Sequence, residues 1–383
     1  MKILHIVTSL AMGGVESMLF QLLSRLDTQA NEHAVISLRE DDVIGAKIRG
    51  LGIPVYSVGM MAGKPTYSSI MLFRKYLTTV GRPDIIHGWD YYGDYAASFS
   101  KTMMGWIHTP VIWSIHHTPF ALSRERKLTA LLIKMGAYFS RGASRIVYVS
   151  WASQARHESM GYRSQRARVI PNGFDPSEFK PSADESALFR SELGIDPDVR
   201  LIGSIARYHP MKDHVNFLNA AGRLLQRRDD VHFLLAGRQV DENNPVLMEI
   251  VRENGLDKKV HLLGERPDVC RLMNALDIFT VSSAWGESFP LVIGEAMLCG
   301  VPCAVTDIGD CARMVGDTGT VVTPRDAEAL CRAWEKTLEM SEQERLKIGM
   351  AARQRVMELF SLQNIVRQYE KLYSDTLNTG DAT

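Results

Sequence analysis

Glu287 and Glu295 stand eight residues apart on either side of Pro290, in the run Gly286-Glu287-Ser288-Phe289-Pro290 that leads into Gly294-Glu295-Ala296-Met297. A proline suits the first position of a helix, where its fixed φ fits and its missing N–H is not needed. The spacing therefore predicts Glu287 in the loop ahead of a helix and Glu295 in its second turn. Free N–H groups at a helix N-terminus attract phosphate by hydrogen bonding and through the helix dipole. Two acceptor carboxylates beside such a cradle suit a ligand carrying both phosphates and sugar hydroxyls. A nucleotide sugar is such a ligand.

Three further segments carry groups fit for the same ligand. In Ser204-Ile205-Ala206-Arg207-Tyr208-His209-Pro210-Met211-Lys212-Asp213, Arg207 offers a bidentate fork and Lys212 a mobile point charge, a pair able to neutralise a diphosphate. Near the start, Met12-Gly13-Gly14 precedes an apolar helical pattern. It is no G-x-G-x-x-G fingerprint, but a double glycine permits φ > 0 and close backbone approach to a ligand. The run Pro110-Val111-Ile112-Trp113-Ser114-Ile115 ends in His116 and His117, which face opposite ways if the strand continues. One of the two is placed to bond a sugar hydroxyl or a reacting group. Asp196-Pro197-Asp198 is the one D-x-D in the chain, but it precedes a strand and reads as a turn, so no metal site is expected.

The elements that position these groups alternate. Candidate strands of the first half are Ile3 to Val7, Ala34 to Leu38, Pro54 to Ser57, Asp84 to His87, Val111 to Ile115, Ile146 to Val149 and Arg168 to Ile170. A second series comprises Leu201 to Ile205, Val231 to Ala236, Val260 to Leu262, Ile278 to Val281, Cys303 to Val305 and Gly319 to Val322. Helical periodicity fills the intervals, for example over Val15 to Leu26, Lys127 to Phe139, His214 to Arg227 and Pro290 to Cys299. This is the signature of α/β architecture with two doubly wound parallel sheets. The turn formers of Pro171 to Pro181 mark the linker. The tail from Ser341 to Thr376 reads as two helices broken at Phe360-Ser361, with Gly380 to Thr383 frayed. Ligands of open α/β sheets bind at the carboxyl ends of the strands, so a cleft between the two sheets is the expected site.

Bulk composition agrees with an ordinary globular enzyme. At 383 residues the chain exceeds what one core usually serves. Lys plus Arg equals Asp plus Glu at 44 each, so no global charge argues for nucleic acid. Five cysteines (Cys270, Cys299, Cys303, Cys311, Cys331) lack the spacing of a zinc site and read as reduced, mostly buried thiols of a cytoplasmic protein. No secretory signal and no spanning segment is visible.

Taken together, Gly13-Gly14-Val15-Glu16, Pro171-Asn172-Gly173-Phe174-Asp175, Arg207, Lys212, the Glu287-to-Glu295 motif and Glu295-Ala296-Met297-Leu298-Cys299-Gly300-Val301-Pro302 resemble a retaining glycosyltransferase of the large GT-B family 4. The resemblance spans nearly the whole chain. It implies a GT-B fold, with an acceptor-side domain over residues 1–175 and a donor-binding domain over 176–360. The last helix, 361–379, would pack back on the first domain. It implies that Arg207 and Lys212 hold the donor diphosphate with the backbone around Ser288, Phe289 and Leu291. Gly13 and Gly14 would lie close to that diphosphate. Glu295 would bond the ribose, Glu287 the donor sugar, and the loop holding Gly264 and Arg266 the base. Asn172 and Gly173 would line the linker side. The family's histidine maps to His116 by its distance from Pro110, or to His117 by the spacing of some relatives. No cofactor is implied.

The activity so implied is transfer of a hexose-type sugar, from a UDP sugar ahead of a GDP sugar, to a glycan or lipid-linked saccharide in cell-surface polysaccharide assembly. Two other classes remain open: a sugar-nucleotide epimerase or phosphorylase of similar build, and a non-catalytic two-lobe binding protein. For the acceptor side, Arg124, Arg126, Lys127, Lys134 and Arg141 accompany Leu128, Leu131, Leu132, Ile133 and Met135, with Met103, Met104 and Trp106 nearby in sequence. Such a segment is either a membrane-surface patch on the inner face of the cell membrane or a core-facing helix with a solvated basic side.

Overall fold

Short β-branched runs that are apolar at consecutive positions are buried on both faces, and only a parallel sheet covered by helices accommodates them. The computed structural model describes residues 1–27, 31–40, 42–61 and 65–378. Its first unit, Met1–Gly173 joined by the helix Leu362–Asn378, carries a seven-stranded sheet. The strands are β1 (Lys2–Val7), β2 (Glu32–Ser37), β3 (Val55–Ser57), β4 (Ile85–Trp89), β5 (Val111–Ile115), β6 (Arg145–Tyr148) and β7 (Ala167–Val169). Their order is β3-β2-β1-β4-β5-β6-β7, parallel throughout. The second unit, Phe174–Ser361, carries β8 (Arg200–Ile205), β9 (Val231–Ala236), β10 (Val260–Leu262), β11 (Ile278–Val281), β12 (Cys303–Thr306) and β13 (Gly319–Val322). These pair in the order β10-β9-β8-β11-β12-β13. In each sheet the order reverses once, between β1 and β4 and between β8 and β11. The adjoining loops leave the sheet in opposite directions there, and a crevice opens at the carboxyl edge.

Every expected strand is present, most with bounds moved by one or two residues. Three helices lay outside the sequence reading: Val43–Gly50, Ala183–Glu192 and Cys311–Val315. The expected fraying of Gly380 to Thr383, and Thr379 of the expected last helix, lie outside the described residues. Among the described residues no helix is long and apolar enough to cross a membrane. All five cysteines are free, and all but Cys270 are buried.

The first unit is completed by a segment distant in sequence. Leu362, Ile365, Val366, Tyr369, Leu372 and Tyr373 of the last helix share one apolar core with Ile3, Val7, Ile85 and Trp89 of the sheet. Gly173 permits the approach, since a Cβ there would strike Leu362. A layer of polar rings lies in this interface. Trp89 Nε1 donates to His5 Nδ1 at 3.2 Å, and His5 Nε2 lies 3.2 Å from His33 Nδ1. An indole N–H can only donate, so His5 Nδ1 must be bare and its Nε2 the donor to His33. His87 sits between the Tyr373 hydroxyl (2.9 Å) and Ser114 Oγ (2.7 Å).

Burial holds all three histidines neutral, with His87 pushed down to about 3, His33 to about 4 and His5 well below its ordinary value. The unfolded chain takes up these protons near pH 6.5, which the folded chain refuses until far lower. Stability is therefore full above pH 6.5 and drains as pH falls toward 4. Thermal melts at pH 7 and pH 5 should differ by roughly 5 °C or more, the acid sample melting lower. Equal melting temperatures would refute this account of the ring layer.

Candidate functional site

Chemistry-bearing residues gather at the carboxyl edge of each sheet. In the second unit, β8 ends at Ile205 and is followed by Arg207, which is exposed. The chain then makes a short turn over Pro210–Lys212, and Asp213, left-handed at φ 52°, starts the helix His214–Leu225 and caps it through Asn216 N. This turn aims Lys212 at Glu287: Nζ lies 2.5 Å from Oε1. Ser283 Oγ donates to the same oxygen, also at 2.5 Å. Glu287 is 7% exposed, so its charge is met almost wholly by these two donors. Gly309, at φ 58°, crosses directly behind Glu287, where any side chain would collide with the Glu287 carbonyl. Ser283 escaped the sequence reading because a lone serine after a strand carries no signal of its own.

The helix after Glu287 runs Leu291–Leu298, one residue later than expected. Pro290 is its N-cap, at ψ 109°, and not its first helical residue. Glu295 still falls in the second turn. Half-buried beside Glu178, its carboxyl is pushed up to about 7, chiefly by burial. Phe289 turns inward against Phe174 and Phe360, so only its backbone faces a ligand, while Ser288 O accepts from Asp310 N. A cavity of about 340 Å³ adjoins Arg207 and is walled by Gly237, Arg238, Glu265, Arg266 and Val292. Gly264, at φ 65°, makes the turn into that wall, bonding Val240 O and receiving Gly237 N. The Arg266 guanidinium is committed to Asp268 by bonds of 2.8 and 2.6 Å, so Arg266 offers the cavity backbone and not a free charge.

In the first unit β5 ends at Ile115, so His116 and His117 follow the strand and the alternation expected of a strand does not decide between them. The His116 ring stacks on Trp89, centroids 5.5 Å apart, and burial lowers its pKa to about 4. His117 Nε2 is held by Glu125 Oε1 at 2.9 Å. His116 is the ring left without a side-chain hydrogen bond among the described residues. Gly13 is the N-cap of the helix Gly14–Leu23 in extended conformation, and neither Gly13 nor Gly14 has positive φ. The freedom to adopt φ > 0 that the double glycine allows is not used here. A Cβ on Gly14 would meet open space, so the opening is toward solvent. Asn172 is buried with its Oδ1 unpartnered, and Gly173 makes room for Leu362.

The basic, apolar segment forms the helix Lys127–Phe139, with one side turned to the core and an exposed side that mixes apolar and basic residues. Ile133 is buried and Leu132 packs beside it. Leu128, Leu131, Met135 and Tyr138, spaced at helical period, are exposed alongside Lys127 and Lys134. Met103, Met104 and Trp106 pack into the core and do not join this stripe. Asp196 closes a turn onto Asp198 N, as its position ahead of β8 implied. Among the described residues no three His, Cys, Asp or Glu cluster as metal ligands.

Two family profiles cover most of the chain: "Glycosyltransferase Family 4" over residues 12–178 and "Glycosyl transferases group 1" over residues 199–340. The chain is 24% identical over 315 residues to the Escherichia coli UDP-Gal:alpha-D-GlcNAc-diphosphoundecaprenol alpha-1,3-galactosyltransferase, covering 80% of this chain and 79% of that one. It is 26% identical over 360 residues to the phosphatidyl-myo-inositol mannosyltransferase of Mycolicibacterium smegmatis, covering 89% and 84%. Three further curated relatives match over 49% to 60% of their own length. Anabaena HepE, crystallised with UDP, superposes with a TM-score of 0.84 at 23% identity, over 98% of this chain and 100% of that one. The fold is GT-B.

Two glycines separate a packing role from an opening. A Cβ on Gly294 would enter the Phe174 ring, so Gly294→Ala should cost about 1–3 kcal/mol. Gly14→Ala should change stability by less than about 0.5 kcal/mol. Urea denaturation of both variants checks the contrast, and equal losses would contradict it.

Proposed function

Because this chain belongs to the group 1, family 4 glycosyltransferases, we propose that it moves a hexose-type sugar from a nucleoside diphosphate sugar, UDP ahead of GDP, onto a glycan or lipid-linked acceptor. The observation that carries this reading is the Lys212–Glu287–Ser283 arrangement beside the exposed Arg207 and the N-terminus of the helix Leu291–Leu298. Lys212 and Arg207 stabilise the departing diphosphate, and preorganised charge of this kind is usually the largest catalytic contribution. Glu287, fixed by two donors, orients the sugar and is not a nucleophile. Glu295 accepts from the ribose hydroxyls, and the cavity walled by Gly237, Glu265 and Arg266 receives the base through backbone groups.

In this reading the anomeric C–O bond breaks toward the diphosphate and the acceptor oxygen bonds to the same face. The acceptor's proton passes to a diphosphate oxygen, so configuration is retained and no metal is required for charge balance. Support for UDP comes from the complex of HepE, and for a lipid-linked acceptor from the name of the E. coli relative. We infer a role in cell-surface polysaccharide assembly on the same grounds. UDP should raise the melting temperature of the protein by mass action. Arg207→Ala should abolish that rise and slow UDP release from UDP-glucose by about 10²-fold. Undiminished release in this variant would remove Arg207 from the site.

The exposed stripe Leu128, Leu131, Met135 and Tyr138, flanked by Lys127, Lys134 and Arg141, supports contact with an anionic membrane surface where a lipid-linked acceptor resides. In flotation assays at low salt the protein should rise with vesicles containing phosphatidylglycerol. The double variant Leu131→Glu, Met135→Glu should stay behind. Equal behaviour of the two proteins would leave the helix without a membrane role.

A further inference from the structure

The last register pair between β1 and β4 is Val7 with Trp89. The next residues, Thr8 and Asp90, therefore leave the sheet side by side, on the two strands between which the strand order reverses. Both carry a buried oxygen with no hydrogen-bond partner: Thr8 Oγ1 and Asp90 Oδ1. Buried polar atoms nearly always have partners, and two orphans on adjacent strand ends are not an ordinary packing outcome. Asp90 is also left-handed at φ 61°, an uncommon and strained backbone state for a residue with a side chain. The backbone N–H groups of Tyr91 and His116 point to its carboxylate, and His117 and Glu16 lie within electrostatic range. Glu16 itself is turned toward Ser9 Oγ, at 3.0 Å. The carboxyl is thus aimed and held, yet one oxygen is unused.

We infer that Thr8 and Asp90 form a hydroxyl-binding site that seats the attacking O–H of the acceptor. Thr8 Oγ1 donates to the hydroxyl oxygen, and Asp90 Oδ1 takes up the hydroxyl proton in a hydrogen bond. A hydroxyl both gives and receives, so it matches this pair, whereas a phosphate would meet the repulsion of Asp90 and Glu16. No covalent step falls to either residue: they orient the nucleophile, and its proton leaves with the diphosphate as above. The assignment rests on the glycosyl-transfer reading.

Residues held unpaired for a ligand lower the stability of the empty protein, and that gives a test no structural role would mimic. Asp90→Asn keeps shape and tolerance of the left-handed state, and Thr8→Val removes the orphan hydroxyl at constant volume. Each should melt at or above the wild-type temperature, and each should keep the wild-type stabilisation by UDP. With UDP-glucose as donor and water as nucleophile, each should leave KM unchanged and lower kcat for UDP release at least tenfold. A lower melting temperature in both variants makes the pair structural and overturns the inference, as does unchanged kcat. If wild-type protein neither binds UDP nor releases it, the donor reading fails instead. The melting temperatures then still decide whether Thr8 and Asp90 are held for a ligand.

Discussion

Parallel pairing is the constraint on which the rest of this protein depends. A parallel sheet sends every strand out at the same edge, so the loops that follow β1, β4, β5, β8 and β11 emerge with their neighbours from that edge. The reversal of strand order in each sheet then parts two adjacent loops. In the first unit the parted pair carries Thr8 and Asp90. In the second it carries the Arg207–Lys212 segment and the Ser283–Glu287 segment. Residues far apart in sequence meet because topology delivers them to one place, and the apolar strands that do so are buried and chemically silent.

Electrostatics then differs between the units. In the second, charge is plentiful and already paired: Lys212 lies on Glu287, Arg266 on Asp268. Removing either member of the Lys212–Glu287 pair would strand the other in a poorly hydrated place, which is costlier than never having had the pair. The Lys212 ammonium, with three donors, keeps capacity for a further acceptor beside Glu287. In the first unit the buried carboxylates of Asp90 and Asp94 make no ion pair among the described residues. Asp90 and Asp94, one helical turn apart, are both shifted upward by burial, and each has an oxygen without a partner.

Much of this was legible from residues alone, for a physical reason. Most of these strands are buried and therefore largely apolar, so all thirteen could be read as short apolar runs, and Glu287, Glu295, Arg207 and Lys212 could be placed on strand ends or helix starts by counting. Helices with little to bury did not stand out. Ala183–Glu192 buries only Phe189, and its charged face hides the period. What depends on backbone torsion or partner count was invisible. No sequence pattern says that Asp90 is left-handed or that Thr8 lacks a partner. Nor does any pattern say that Glu125 reaches back to His117 from eight residues on. Pro290 shows the limit at finer grain: it marks the helix start correctly but caps the helix and does not open it.

The glutamate pair that first marks this sequence divides its labour by burial. Glu287 is nearly enclosed yet keeps two strong donors on one oxygen, so its geometry is set before any ligand arrives. Glu295 has no such donors, and burial beside Glu178 pushes its carboxyl up to about 7. At neutral pH it therefore exchanges between acid and carboxylate, and two ligand hydroxyls would favour the carboxylate by donating to it. Binding there would release a proton. One motif of two identical side chains thus gives one rigid acceptor and one whose charge is decided by what occupies the site.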